Sequence, residues 1–202
     1  MKKEINRGKS GIVPGMLAVT LFFCSGLQAQ KKWESSGAPF VKGSKTLGVS
    51  AGAGIEYGYY GDYNALPAVA LTYDQGIINN VGPGTIGVGG IAAVKTAYYN
   101  YKSGGYRARW NNYFIGVRGT YHLTLLKDRN DKFDPYAGVT AGVRVLDYKD
   151  DSGPANPRDY NNVSSVVGAF VGAKYNFVPS FGAFAEVGYD ISYARIGIAA
   201  NF

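Results

Sequence analysis

The sequence predicts an all-β chain, a transmembrane antiparallel up-and-down β-barrel of eight strands, preceded by a cleaved signal peptide. Three observations predict it. Between Thr46 and Phe202, apolar residues alternate with glycine or polar residues over eight runs, the mark of strands with two different faces. The second face holds Glu186 and Arg195, which a soluble core would not accommodate, so the oily face is assigned to lipid. Of 29 glycines and 17 tyrosines, 23 glycines and all the tyrosines follow Thr46, and many alternate with valine and alanine inside these runs or stand at their ends, a placement that argues against low complexity or disorder.

The chain begins with an export signal. Lys2, Lys3, Arg7 and Lys9 form a positive n-region, and Met16 to Cys24 forms an apolar stretch too short to span a bilayer. Residues 1–29 are read as the signal peptide, cleaved after Ala29, although Leu27 is larger than the usual residue at that site. A lipoprotein role for Cys24 is disfavoured by the bulk of Phe22 and Phe23. The mature chain then has no cysteine and no disulfide or thiol chemistry. Residues 30–45 read as a short polar periplasmic lead-in with Trp33 and Phe40 as isolated aromatics, and residues 46–202 as the barrel. Since no later stretch resembles a membrane helix, a spanning chain has to close into a barrel.

The first run sets Leu47, Val49, Ala51, Ala53, Ile55 and Tyr57 against Gly48, Ser50, Gly52, Gly54 and Glu56. The second sets Val69, Leu71 and Tyr73 against Ala70, Thr72 and Asp74, and a turn follows over Asn79 to Gly84. In the third, Ile86, Val88, Ala92, Val94 and Tyr98 oppose Gly87, Gly89, Ala93 and Lys95, with Ile91 out of pattern. In the fourth, Tyr113, Ile115, Val117, Tyr121 and Leu123 oppose Asn112, Gly116, Arg118, Thr120 and His122, with Phe114 the exception. The polar stretch Lys127 to Asp134 leads to the fifth, where Ala137 to Val145 oppose Gly138, Thr140, Gly142 and Arg144. The sixth sets Val167 to Phe177 against Gly168, Phe170, Gly172, Lys174 and Asn176. The last two form a hairpin, Phe181 to Tyr189 and Ala194 to Phe202, around Asp190-Ile191-Ser192. Roughly 20 residues per run and connection suit strands of about 10 residues plus loops, and an even count leaves no open edge.

The connections after runs one, three and five are long and polar, and those after two and six are short, as in outer-membrane barrels. Lys127 to Asp134 is too long for that rule and Asp190 to Ser192 too short. Tyr57, Tyr59, Tyr98, Tyr113 and Tyr189 would form an outer aromatic girdle; Tyr73, Tyr121, Tyr175, Phe177, Phe181 and Phe202 would form an inner one. The signal, the eight runs and the hairpin Gly182-Ala183-Phe184-Ala185-Glu186-Val187-Gly188-Tyr189 ending in Phe202 resemble the small outer-membrane β-barrel family of OmpA/OmpX type. The resemblance covers nearly the whole mature chain. It implies residence in the outer membrane of a Gram-negative-type bacterium, contact with lipid and lipopolysaccharide, and a terminal aromatic, Phe202, read as insertion signal by the barrel-assembly machinery. Tyr193, inward by alternation, departs from the pattern. No peptidoglycan-binding domain follows the barrel, so that activity is not expected.

Glu56, Asp74, Lys95, Arg118, Arg144, Lys174, Glu186 and Arg195 fall on the lumen face. An eight-stranded barrel is just wide enough for side chains to fill, and confined charges must pair or keep water. A plug of ion pairs is the expectation; the alternative is a small porin or transport channel, in which five bases against three acids would favour anions. His122, the sole histidine, falls inward with no matched serine, so neither catalysis nor a cofactor is expected. Gly82-Pro83-Gly84-Thr85-Ile86-Gly87 matches a dinucleotide fingerprint in letters only, since a strand follows it. Asp147, Asp150, Asp151 and Asp159 lack EF-hand spacing and read as a solvated acidic loop, so no metal is expected.

The net charge is +7, of which the signal peptide holds +3. The rest is dispersed, with no basic helix or nucleic-acid module. Lys102, Tyr106, Arg107, Arg109 and Trp110 mix cations and aromatics in the loop read from Tyr98 to Trp110. Such residues contact phosphates, sugars or a host surface, or else simply anchor at the interface. The expected role is structural or surface-interacting, in a monomer whose extracellular ligand is unspecified. A soluble periplasmic ligand-binding barrel would need an apolar interior, which the lumen face does not offer.

Overall fold

The computed structural model describes residues 39–54, 64–100, 107–124, 131–150 and 160–202. The signal peptide, Glu56, Tyr57, Tyr59, Lys102, Tyr106, Asp151 and Asp159 lie outside them. The strands are β1 (Lys45–Ala53), β2 (Asn64–Ala65), β3 (Ala68–Val81), β4 (Gly84–Asn100), β5 (Arg107–Leu123), β6 (Phe133–Asp150), β7 (Tyr160–Val178), β8 (Phe181–Tyr189) and β9 (Ala194–Asn201). Every pairing is antiparallel, and the β1–β9 and β4–β5 pairings close eight long strands into a ring. The two-residue β2 continues the line of β3 against Ala97 and Tyr98 of β4.

The seam forms because strand one and strand eight of an even ring run in opposite directions. Lys45 and Phe202 exchange both backbone hydrogen bonds, each 3.0 Å. The alternation read from sequence sets the two faces. Val69, Ile115, Val117, Val139, Val167, Val171, Ile196 and Ile198 point outward and are exposed, giving the apolar outer surface that a lipid-embedded barrel requires. Tyr175, Phe177 and Phe181 gather at the inner end, with ring centroids 5.8 and 6.3 Å apart along the row.

The second face is less polar than its letters suggest. Ile91 and Phe114, the two residues that broke the alternation, are buried inside with Ala68, Ala70 and Ile191. Phe170 and Phe184 are also interior. The glycines facing them explain how they fit in so narrow a ring. A Cβ on Gly116 or Gly142 would lie 2.9 Å from the Phe114 ring, and one on Gly48 or Gly197 would lie 2.9 or 2.8 Å from Phe184. Much of the glycine on this face is therefore the space that inward aromatic rings occupy.

Three expectations are corrected. The strands outlast the apolar alternation: β6 runs to Asp150 and β7 starts at Tyr160, where polar and charged residues carry much of the pairing. The stretch Tyr98 to Trp110 is mostly β4 and β5, so Arg107, Arg109 and Trp110 are strand residues. Tyr193 is exposed: it sits in the bend before β9 and packs on Tyr189, centroids 6.0 Å apart. Alternation does not extend through a bend.

Candidate functional site

The interior carries one connected chain of charges. Register brings its members to one level: Arg118 of β5 lies opposite Gly89 of β4, which in turn lies opposite Asp74 of β3. Arg118 Nε is 3.2 Å from Asp74 Oδ1, and its Nη2 donates to Glu186 Oε1 at 2.7 Å. The other Glu186 oxygen accepts from Arg195, its cross-strand partner in β8–β9. Arg195 also reaches Asp190 Oδ2 at 2.9 Å. Tyr136 donates its hydroxyl to Glu186 Oε1 at 2.7 Å. All five charged side chains are buried.

Aromatic rings take the place of solvent around these ions. Phe170 is near two guanidinium groups, with Arg118 Cζ 4.4 Å and Arg195 Cζ 5.7 Å from its ring centre. The quadrupole of the ring face favours a cation there. A carboxylate held by two guanidiniums and a phenol has its lone pairs used, the condition under which a buried charge is tolerated.

Nearer the inner end is a second polar layer. His122 Nδ1 lies 2.9 Å from Asp134 Oδ1, and Lys174 Nζ lies 3.5 Å from Asp134 Oδ2. Lys174 also donates to Asn201 Oδ1 at 3.0 Å and Thr46 Oγ1 at 3.2 Å, and Asn201 Nδ2 donates to Asn176 Oδ1 at 2.9 Å. Towards the outer end, buried Lys95 donates to the Gly54 carbonyl. Arg144 is only half-buried, above the main chain of ions.

Asp74, Lys95, Arg118, Lys174, Glu186 and Arg195 thus share the interior, and Glu56 lies outside the described residues. Sequence reasoning missed Asp134, Tyr136 and Asp190. Asp134 ends a polar connecting stretch in the sequence, yet it continues the parity of Gly138 and Tyr136 inside β6. Asp190 belongs to the bend that the sequence predicts, and there it is buried, its Oδ1 accepting from the Ile191 amide at 2.5 Å. With both counted, four acidic side chains (Asp74, Asp134, Glu186 and Asp190) stand against the five bases read on the lumen face, among the described residues.

At the outer end, register aligns three rings on adjacent strands: Trp110 of β5 faces Tyr148 of β6, which faces Tyr160 of β7. Their centroids are 5.2 and 4.8 Å apart, close to the strand spacing that sets them. Arg107 places its guanidinium 5.2 Å over Tyr98 and donates to Asn100 Oδ1 at 2.9 Å. Arg109 and Lys149, paired across β5–β6, are exposed. Phe202 points outward at the inner end and is 53% exposed. Among the described residues, no group of acidic, histidine or cysteine side chains is arranged to hold a metal ion.

No protein-family model matches the chain, and no curated protein matches it. Solved structures do. Ail, the attachment invasion locus protein of Yersinia pestis, in complex with the heparin analogue sucrose octasulfate, is 16% identical, with a TM-score of 0.51 over 80% of this chain and 100% of Ail. The N-terminal β-barrel domain of Pseudomonas aeruginosa OprF is 13% identical, with a TM-score of 0.44 over 80% of this chain and 98% of that domain. At such identities the likeness is one of fold.

Proposed function

We propose that this chain, which has the fold of the small eight-stranded outer-membrane barrels, is a non-enzymatic integral outer-membrane protein with a plugged lumen and a surface-interaction role at its outer end. The observation that carries the reading is the inversion of an ordinary globular protein: apolar side chains outside, paired ions inside. Lipid accommodates the apolar outer face, and pairing offsets the cost of keeping charge within. Export by residues 1–29 and recognition of Phe202 by the barrel-assembly machinery belong to the same proposal.

The outer end supports the interaction role. The rim carries both stacking faces and cations: the three rings lie on the lumen side of β5 to β7, Arg107, Arg109 and Lys149 alternate with them on the outer side, and Lys102 and Tyr106 fall in the sequence between β4 and β5. Anionic saccharide, including the sugar phosphates of lipopolysaccharide, is the ligand class this chemistry fits. That Ail was solved with a heparin analogue supports testing a sulfated polysaccharide first. Folded protein in lipid nanodiscs is expected to bind immobilised heparin at low salt and release as ionic strength rises. Arg107→Ser with Arg109→Ser should weaken binding several-fold; unchanged binding would remove these residues from the site.

The interior favours a closed pore over the alternative of a small channel. Arg118, Glu186, Arg195, Phe170 and Tyr136 cross-link strands β5 to β9 through the lumen. Planar-bilayer recordings are therefore expected to show no defined unitary steps. Reproducible steps would favour the channel reading and defeat the plugged one.

A further inference from the structure

We propose that the segment just before β1 is a tethered plug, with Phe40 bound as an intrachain ligand in a purpose-built aromatic socket at the inner mouth of the barrel. The lead-in reads from sequence as an isolated polar stretch. Instead Phe40 is 1% exposed. Its ring stacks on His122 with centroids 3.7 Å apart and an interplanar angle of 13°, and Lys174 Nζ lies 5.6 Å from its centre. One face of the ring thus meets an imidazole that is itself held by Asp134, and a cation lies within reach of its π-system.

The backbone is seated as well as the ring. The Gly43 amide donates to the Gly76 carbonyl at 2.9 Å, and the Gly76 amide donates to the Ser44 carbonyl at 2.9 Å. The Lys42 amide donates to Asn79 Oδ1 at 2.5 Å. Within the segment, the Ser44 amide donates to the Val41 carbonyl at 2.9 Å, and Ser44 Oγ accepts from the Val41 amide at 3.0 Å. Two glycines of the wall make the room. A Cβ on Gly87 would lie 3.2 Å from the Phe40 ring. At Gly76, the three atoms nearest an added Cβ all belong to Val41 and Lys42, and the carbonyl oxygen of Val41 would be overlapped outright.

Behind the ring is a cavity of about 20 Å³, lined in part by Thr72, Asp74, His122, Lys174 and Glu186, large enough for one water. Phe40 itself lines this chamber, stacked on His122 and near Lys174 of the inner polar layer. Release of the segment would open the chamber and bare an aryl-binding socket made of an imidazole, a cation and glycine walls. Access to the lower lumen is therefore conditional on the state of the lead-in. This holds whether or not the outer end binds saccharide.

Thiol protection tests it. Cys24 is the chain's one cysteine, so a Cys24→Ser background carrying Thr72→Cys places a single thiol on the chamber wall. Folded protein in detergent micelles is treated with a small cationic methanethiosulfonate, and folding is checked by heat-modifiable gel mobility. With the native lead-in the thiol should be protected. Phe40→Ala and, separately, Gly76→Ala should each raise the labelling rate on the order of tenfold, because the rate tracks the population of the open form. Gly76→Ala keeps Phe40 and displaces only its segment. A rise in both variants supports the plug. Fast labelling with the native lead-in, a rise in neither variant, or a rise in Phe40→Ala alone overturns it, the last because a hole left by the ring, not release of the segment, would then admit the reagent.

Discussion

Glu186→Ala is expected to lower barrel stability by about 3–5 kcal/mol, the cost of removing one partner from a buried ion pair. Glu186 is the junction of the interior: Arg118 and Tyr136 share one of its oxygens and Arg195 holds the other. Its loss leaves two guanidiniums that shared its carboxylate, both near Phe170, with Asp74 and Asp190 as their remaining counter-charges. Urea unfolding in lipid vesicles, followed by tryptophan emission, reads the loss. Replacing Arg118, Glu186 and Arg195 together by apolar residues of similar volume should cost much less, since no charge is then left uncompensated. A loss below about 1 kcal/mol for Glu186→Ala would mean that water reaches the site and already screens it.

Ile196→Arg is expected to cost about 2–4 kcal/mol in a bilayer, the penalty for arginine on the lipid face at the midplane. Depth follows from register. Ile196 lies between Ala185 and Ala51, and Ala185 is the middle residue of the nine in β8. The side chain is 71% exposed on the outer face, so lipid and not protein solvates it. Tyr193→Arg, at the outer end, should cost only about 0–1 kcal/mol because the penalty falls towards the interface. Equal costs for the two, or no cost at Ile196 in bilayers, would remove the membrane assignment of that face.

What the sequence made legible follows from what a strand's period encodes. Period two identified the outward residues from Val49 to Ile198 because lipid demands apolar side chains at every second position. The same demand ceases beyond the lipid, so the ends of β6 and β7, written in Asn, Ser, Tyr and Asp, were invisible to it. The inner face obeys no such rule. It requires that volumes and charges balance across the lumen, and that is a property of register. Phe114 breaks the alternation in letters, yet Gly116 and Gly142 make room for its ring, and Ile91 stands opposite Gly116 in register. Asp134 and Asp190 pair with residues 40 and 5 positions away, Lys174 and Arg195, and no local pattern links the more distant pair. Phe40 was hidden for a different reason: a segment that docks as a ligand has no periodicity at all.

The seam at Lys45 and Phe202 makes the ring indifferent to where its chain starts. Both termini of the barrel lie at the inner end, joined by two backbone hydrogen bonds like any hairpin pair. Opening the chain instead at the tight Pro179-Ser180 turn, with the old ends linked, would preserve the strand neighbours through circular permutation. Such a protein would have β7 as its last strand and Val178 as the last residue of that strand. Geometry and synthesis order, which coincide in the natural chain, would then be separated, and an aromatic needed only as a terminal signal would be distinguished from one needed at its place in the wall.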